Sequence, residues 1–391
     1  MKYLIIGNGV AGTEASLIIK KNNENADITI IDSEKHLFYY RPRLIDHLAG
    51  KIDDDKIIAH KQSIYDNNNI NIIKNTEVVN IDIKNKIVIC DDNTTYKYDK
   101  LLIATGASPL IPSVELEDNH GVFEFRDIED SHKIREFCTE NKGEYAIIGG
   151  GLLGIETANA IMQLGCDVRI IEFYNRILPR QLDEETSNLL EKKLSDKGIK
   201  FNLNCSVDKI ETIHEENSIK KRIVLKNGES IVVNGIIFST GICPKIELFK
   251  QIGILTNRGV IVNEFMETNI KDIYAAGDIA EFNSIIYGLW LPSKKQGEIA
   301  GENMSGNNKK FESIPMETRL KVTGINLFSV GDFNKKFEEI KTYDNGESFK
   351  KYFINNKKLE AAIIIGDNKL PLIVGKVLNG REPLESLYKL E

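Results

Sequence analysis

The chain has 391 residues, 41% of them hydrophobic and 28% charged, with a formal net charge of −7. That length holds two or three domains with substantial cores. The acidic balance argues against a nucleic-acid partner, and no apolar run reaches the roughly 18–20 residues of a membrane span. The chain opens directly into a short strand and a glycine loop, unlike a signal peptide, so a cytoplasmic location is expected. The terminal Leu390-Glu391 reads as a cloning remnant.

Lys2-Tyr3-Leu4-Ile5-Ile6 is a short apolar run that predicts a buried parallel strand. Gly7-Asn8-Gly9-Val10-Ala11-Gly12 follows and leads into a helix. Gly7 permits the tight turn, Gly9 lets a pyrophosphate approach the backbone, and Gly12 lets the helix pack close to the strand. The helix N-terminus then offers free N–H groups to phosphate oxygens. A second strand, Asp27 to Asp32, ends in a carboxylate 20 residues after Gly12, where an acid can bind a ribose diol. Short strands with turn signals at 85–99 predict a small antiparallel insertion, and "KLLIATGASP" (100–109) closes the unit with another buried strand.

Every part then recurs. Glu144-Tyr145-Ala146-Ile147-Ile148 is the strand, Gly149-Gly150-Gly151-Leu152-Leu153-Gly154 the loop, and Asp167 to Glu172 the second strand ending in an acid. "KRIVLKNGESIVVNG" (221–235) predicts a hairpin turning at Asn227-Gly228, and "GIIFSTGICP" (235–244) echoes the closing strand. A lone glycine fingerprint is weak, but here both copies carry the strand, the helix and the acid. The expected fold is α/β: two Rossmann-like dinucleotide-binding domains with small antiparallel insertions, followed by a small α+β domain. Expected boundaries are 1–108 with 243–305, then 109–242, then 306–391. In the last of these, Asn355-Asn356 sits between two β-rich runs and predicts a hairpin.

The five cysteines are never closer than 28 residues, which excludes a C-x-x-C redox pair and a compact zinc site, and the six histidines show no ligand spacing. No metal is expected. Residues 306–391 carry 15 Lys and Arg against 12 Asp and Glu, with paired lysines at 309–310, 335–336, 350–351 and 357–358. Such a surface is either simply solvated or a docking face for an acidic protein.

With "NIKDIYAAGDIAEF" (269–282) and "WLPSKKQGEIAGENMSG" (290–306) added to the two glycine loops, residues 1–305 resemble the pyridine nucleotide–disulfide oxidoreductase superfamily of two-dinucleotide flavoproteins. The resemblance implies FAD on the first loop (Gly7, Gly9, Val10, Ala11, Gly12) with Asp32, and NADH on the second (Gly149, Gly151, Leu152, Leu153, Gly154) with Glu172. A carboxylate at Glu172 suits the 2′-hydroxyl of NADH better than a 2′-phosphate, although Arg176 is near. Gly277 and Asp278 close the flavin site in such proteins. Ser33, Glu34, Pro42, Val78, Ala104, Thr105, Gly106, Arg126 and Gly241 complete the implied cofactor-binding set. Glu156 matches a family acid near the two reacting rings; its position equally suits a first-turn helix acid, and Glu14 holds the same place in the first copy.

Disulfide-reducing members carry cysteine soon after the first unit, but "HLFYYRPRLIDHLAG" (36–50) has none. It resembles instead the branch that passes electrons singly to small iron proteins, with Arg41 placed to balance charge on reduced flavin. Relatives serving ring-hydroxylating oxygenases carry R-P-P-L-S-K; here Asp46 stands where their lysine is. "LKVTGINLFSVGD" (320–332) resembles the branch that serves rubredoxin, and also the N-terminal part of nitrite reductase large subunits. The implied activity is hydride transfer from NADH to FAD and single-electron delivery to rubredoxin or a similar small acidic iron protein, by a monomer or homodimer. Direct oxygen reduction and ferredoxin reduction are the alternatives.

Overall fold

The computed structural model describes residues 1–216 and 218–388; Leu390-Glu391 lies outside the described residues. The chain divides into two compact units: 1–47, 52–108 and 242–314 form one, and 48–51, 109–241 and 315–391 the other.

The first unit is built on a five-stranded parallel sheet. Its order is Ile273–Ala275, Lys100–Ile103, Lys2–Ile6, Asp27–Ile31, Ile70–Ile73. Lys2 pairs with Asp27 and Ile6 with Ile31, in register with no shift. Four of these strands are mostly apolar and buried, as expected for a parallel sheet covered on both faces, while at the edge strand Ile70–Ile73 only Ile70 is buried. The expected insertion is an antiparallel three-stranded sheet, Val78–Asp82, Ile87–Cys90, Thr95–Lys97.

The helix Val10–Asn22 packs against Trp290–Met304 through small residues. A Cβ on Gly297 would lie 2.3 Å from the Ala11 carbonyl oxygen, and one on Gly301 would lie 2.7 Å from that of Ala15. Only glycine permits this approach, which brings the segment after Gly277 up to the first glycine loop.

The second unit repeats the plan. Its parallel sheet runs Val122–Glu124, Gly235–Phe238, Glu144–Ile148, Asp167–Ile171, Ile199–Asn202. Glu144 pairs with Asp167 as Lys2 does with Asp27. The edge strand differs in origin: it precedes the glycine loop here and follows it by about 260 residues in the first unit. An antiparallel sheet of Ser230–Val233, Ser218–Leu225 and Val207–Glu215, joined by Glu115–Leu116, forms the insertion. Gly228 turns its hairpin at φ 89°.

Residues 315–391 add a five-stranded antiparallel sheet, in the order Glu317–Val322, Ile325–Val330, Lys358–Ile365, Phe349–Asn355, Glu339–Asp344, with the helix Leu370–Leu378 packed on it. The expected hairpin turns at Asn356 and Lys357, both at positive φ. One expectation is corrected here. Lys350 and Lys351 are not on a basic surface; they are only 7% and 6% exposed. They lie on an inner strand of the sheet, and the Lys351 ammonium meets Asp183 and Glu185 (2.5 Å to the latter). Lys309 and Lys310 belong to the first unit, where they pair with Glu302 and Glu264.

Among the described residues, no helix is long and apolar enough to cross a membrane. All five cysteines are free.

Candidate functional site

The two glycine loops are built alike, atom by atom. Gly7 donates its N–H to the Ile31 carbonyl, and Gly149 donates to that of Ile171, both at 2.8 Å. Their φ angles are 105° and 118°, in the region glycine favours. A Cβ on Gly7 would lie 2.3 Å from the Ala104 carbonyl oxygen; on Gly149 it would lie 2.3 Å from that of Ser239. A Cβ on Gly12 or Gly154 would lie 2.0 Å from the preceding loop carbonyl. These four glycines are forced by the fold.

Gly9 and Gly151 are different. A Cβ there would meet nothing within 4 Å, and both sit at the helix N-cap in extended backbone that any residue can adopt. Neither helix has a side-chain cap or an acid in its first turn, so the N–H groups of Val10, Ala11, Leu152 and Leu153 are at the free end of a helix dipole. Folding does not require glycine at 9 or 151; the close approach of an anionic group does. Both loops are therefore cradles a Cβ would fill.

Each acid is held in the same way. Asp32 accepts the backbone N–H groups of Asn8 and Glu34, and Glu172 accepts those of Gly150 and Tyr174, the latter at 2.9 Å. Burial, with the charge of Glu34 adding to it, pushes the Asp32 carboxyl up to about 7.

The surroundings then diverge. Around the first loop, Asn8 Oδ1 accepts the hydroxyls of Thr13 (3.1 Å) and Tyr65 (3.0 Å), which leaves its Nδ2 buried without a protein acceptor. Gln296 Oε1 accepts the Gly277 N–H at 2.9 Å, and its Nε2 is likewise buried without a protein acceptor. Such groups are costly unless something else accepts from them. Ser293 donates to Asp278 at 3.1 Å. Glu34 accepts the Tyr39 hydroxyl at 2.6 Å and the Arg41 guanidinium at 2.7 Å. Arg41 also lies 4.8 Å from the centre of the Tyr39 ring. Burial opposes the Arg41 charge, but Tyr39, Glu34 and Asp278 outweigh it and hold its pKa above the ordinary value. Pro42 is next to it in a single 3-10 turn, Arg41–Arg43. Asp46 lies 3.9 Å from Arg43. Orphaned donors, an open glycine loop and a fixed cation fit an anionic dinucleotide with a reducible ring.

Around the second loop, by contrast, Leu153, Phe173 and Tyr174 are 39%, 66% and 50% exposed. Glu156, half-buried, holds the same helical position as Glu14, which faces Lys294 at 3.7 Å; both lie beyond the first turn of their helices, which corrects the first-turn reading of Glu156. Gly241 turns at φ 116° and its carbonyl accepts the Leu110 N–H.

Of the remaining sequence-predicted residues, Ala104, Thr105 and Gly106 leave the strand beside Gly7, and Ser33 follows Asp32 on the surface. Val78 begins the antiparallel insertion. Arg126 belongs to the second unit, where its backbone N–H donates to Asp130. Asn8, Tyr65, Tyr39, Ser293 and Gln296 escaped the sequence reading. Only Asn8 carried a signal, as a polar residue in the middle of the glycine loop.

This fold and these paired cradles define a two-dinucleotide oxidoreductase. Residues 1–301 match the pyridine nucleotide-disulphide oxidoreductase family, and residues 315–380 the rubredoxin NAD+ reductase C-terminal domain. The chain belongs to the pyridine nucleotide-disulphide oxidoreductase family. It is 34% identical to NADH-rubredoxin oxidoreductase of Clostridium acetobutylicum, over 100% of this chain and 97% of that one. The crystal structure of NADH:rubredoxin oxidoreductase from that organism superposes with a TM-score of 0.82 at 33% identity, covering 100% of this chain and 99% of the other. The chain is also 35% identical to nitrite reductase [NAD(P)H] of Bacillus subtilis, over 94% of its own length but only 46% of the relative's. It thus spans about half of that longer protein.

Proposed function

We propose that this protein takes a hydride from NADH onto FAD and passes single electrons to rubredoxin or a similar small acidic iron protein. The observation that carries this reading is the contrast between two cradles of the same backbone: both have buried donors without a protein acceptor (Asn8 and Gln296 at the first, Ser239, Thr157 and Arg176 at the second), but the first is faced by an arginine fixed on Glu34 and the second is rimmed by the exposed side chains of Leu153, Phe173 and Tyr174. A ligand kept permanently suits the first and a ligand that comes and goes suits the second.

FAD, when bound, supplies the conversion of a two-electron donor into one-electron deliveries. The chain's own part is binding, orientation and charge. Gly9 and the N-terminus of the Val10–Asn22 helix take the pyrophosphate, and Asp32 accepts ribose hydroxyls. Asn8 Nδ2 and Gln296 Nε2 donate to ligand oxygens or ring nitrogens. Arg41, anchored by Glu34, offers positive charge where reduction adds negative charge. In the second unit, Gly151 and the Leu152–Gln163 helix take the coenzyme pyrophosphate, with Glu172 at the ribose. No thiol is needed, in keeping with the cysteine-free stretch 36–50. The C-terminal match and the full-length rubredoxin-reducing relative support rubredoxin as the acceptor.

The test is the anaerobic rate of NADH oxidation with rubredoxin added, set against the rate in air without it. Reduction of rubredoxin at tens per second, within the ordinary range of enzyme turnover, with little oxygen consumption, supports the proposal. Rapid NADH consumption in air with no rubredoxin reduction would replace it with an oxidase.

A further inference from the structure

Resting on the reading that the second cradle takes a pyridine nucleotide, we infer that Phe173, backed by Tyr174, is the platform on which the adenine of that coenzyme stacks. Single exposed apolar residues are ordinary on protein surfaces. Here two large aromatic side chains are exposed side by side, immediately after the acid of the cradle. Their rings meet edge to face, with centroids 5.2 Å apart and planes at 86°.

The segment that carries them is fixed to the glycine loop. The Glu172 carboxylate accepts N–H groups from both Gly150 and Tyr174, so one side chain ties the middle of the loop to the aromatic pair. The Tyr174 carbonyl accepts the Asn204 N–H at 2.8 Å, and Leu178 donates back to the Gly150 carbonyl at 3.0 Å. The rings are therefore presented on a backbone pinned on both sides, and a ligand stacking on them meets a preorganised surface.

The duplication supplies an internal comparison. Ser33 and Glu34 occupy the same two positions after Asp32, and the Glu34 carboxylate is taken up by Tyr39 and Arg41. The backbone arrangement is thus compatible with small or polar side chains. The aromatic pair belongs to the cradle with the open rim. A flat, uncharged base is the part of the coenzyme that such a surface recognises.

The test uses the full, FAD-loaded chain and separates the adenosine half of the coenzyme from the nicotinamide half. ADP-ribose binding is measured by calorimetry, and steady-state rates are measured with NADH, with reduced nicotinamide mononucleotide, and at varied acceptor protein. Phe173→Ala is expected to raise the ADP-ribose Kd and the NADH KM roughly three- to tenfold, the range of an aromatic stacking contact. Kinetics with the mononucleotide, which lacks adenine, should stay unchanged, and Phe173→Trp should restore ADP-ribose binding. The inference is overturned if Phe173→Ala leaves the ADP-ribose Kd as in the wild type. It is equally overturned if the mononucleotide is affected as much as NADH, or if only the KM for the acceptor protein rises, which would make the pair a partner contact. If the wild type neither binds ADP-ribose nor oxidises NADH, the underlying reading fails as well, so the two failures are distinguishable.

Discussion

The Arg41 guanidinium lies 2.7 Å from the Glu34 carboxylate, which also accepts the Tyr39 hydroxyl at 2.6 Å. An arginine on a surface loop would ordinarily sample many rotamers. This one is held by a charge-assisted bond that fixes where its positive charge sits. Arg41→Ala should lower the flavin midpoint potential by roughly 20–60 mV, given that 30 mV is about 1.4 kcal/mol for a two-electron couple. Arg41→Lys, which keeps the charge but not the planar fork, should fall between. Anaerobic reductive titration against a reference dye reads both. An unchanged potential in Arg41→Ala would remove the arginine from the charge balance.

Asp32 gives a pH dependence whose sign follows from its environment. Its pKa in the ligand-free protein is raised to about 7 by burial and Glu34, and ribose hydroxyls donated to it favour the ionised form. Binding of FAD then releases a proton below about pH 7. FAD affinity should rise with pH up to about 7 and level off above it. Asp32→Asn should bind more weakly and flatten the profile. The check is the FAD dissociation constant of deflavinated protein, measured by fluorescence quenching across this range. Affinity that falls as pH rises would contradict the assignment.

The ammonium of Lys351, on an inner strand of the C-terminal sheet, reaches Asp183 and Glu185 at the start of the helix Glu184–Ser195. Removing one member of a buried ion pair costs about 3–5 kcal/mol. Glu185 is largely exposed, so Lys351→Met should cost less, about 1–3 kcal/mol. Burial opposes the charge on Asp183, but the hydrogen bonds from Lys351 and Thr186 outweigh it and hold its pKa below the unfolded value of 3.8. The stabilisation is therefore present above 3.8 and is lost as pH falls through the depressed folded value. Urea denaturation at neutral and acid pH should show the wild type losing its advantage over Lys351→Met in acid. An advantage that grows in acid would be the wrong sign.

How much of this was legible in the sequence depends on how local each feature is. Both cradles were readable because a strand, three glycines, a helix and an acid lie within some thirty residues, each for a separate steric or electrostatic reason. Both hairpins were readable from turn chemistry, although the second turns at Asn356-Lys357, one residue beyond the expected Asn355-Asn356. The edge strands Val122–Glu124 and Ile273–Ala275 are three residues each, too short to show a period. The Glu34–Arg41 pair joins residues seven apart across irregular backbone, where no repeat predicts which side chains meet. Lys350 and Lys351 misled because consecutive lysines normally mark solvated surface; Lys351 instead meets acids 166 and 168 positions away. Asn8 and Gln296 became informative only once their partners could be counted.

The central claim is the division of labour between the cradles, and Gly9→Ala against Gly151→Ala tests it most directly. A Cβ at either position clashes with nothing within 4 Å, so both variants should fold with melting temperatures close to that of deflavinated or loaded wild type, respectively. The measurement is bound FAD per chain after purification, together with ADP-ribose affinity once FAD has been added in excess. Gly9→Ala should lose FAD on purification but bind ADP-ribose as the wild type does. Gly151→Ala should keep one FAD per chain while its ADP-ribose affinity collapses. If Gly9→Ala retains full flavin, or if Gly151→Ala loses flavin while keeping ADP-ribose affinity, the assignment of the two cradles is wrong.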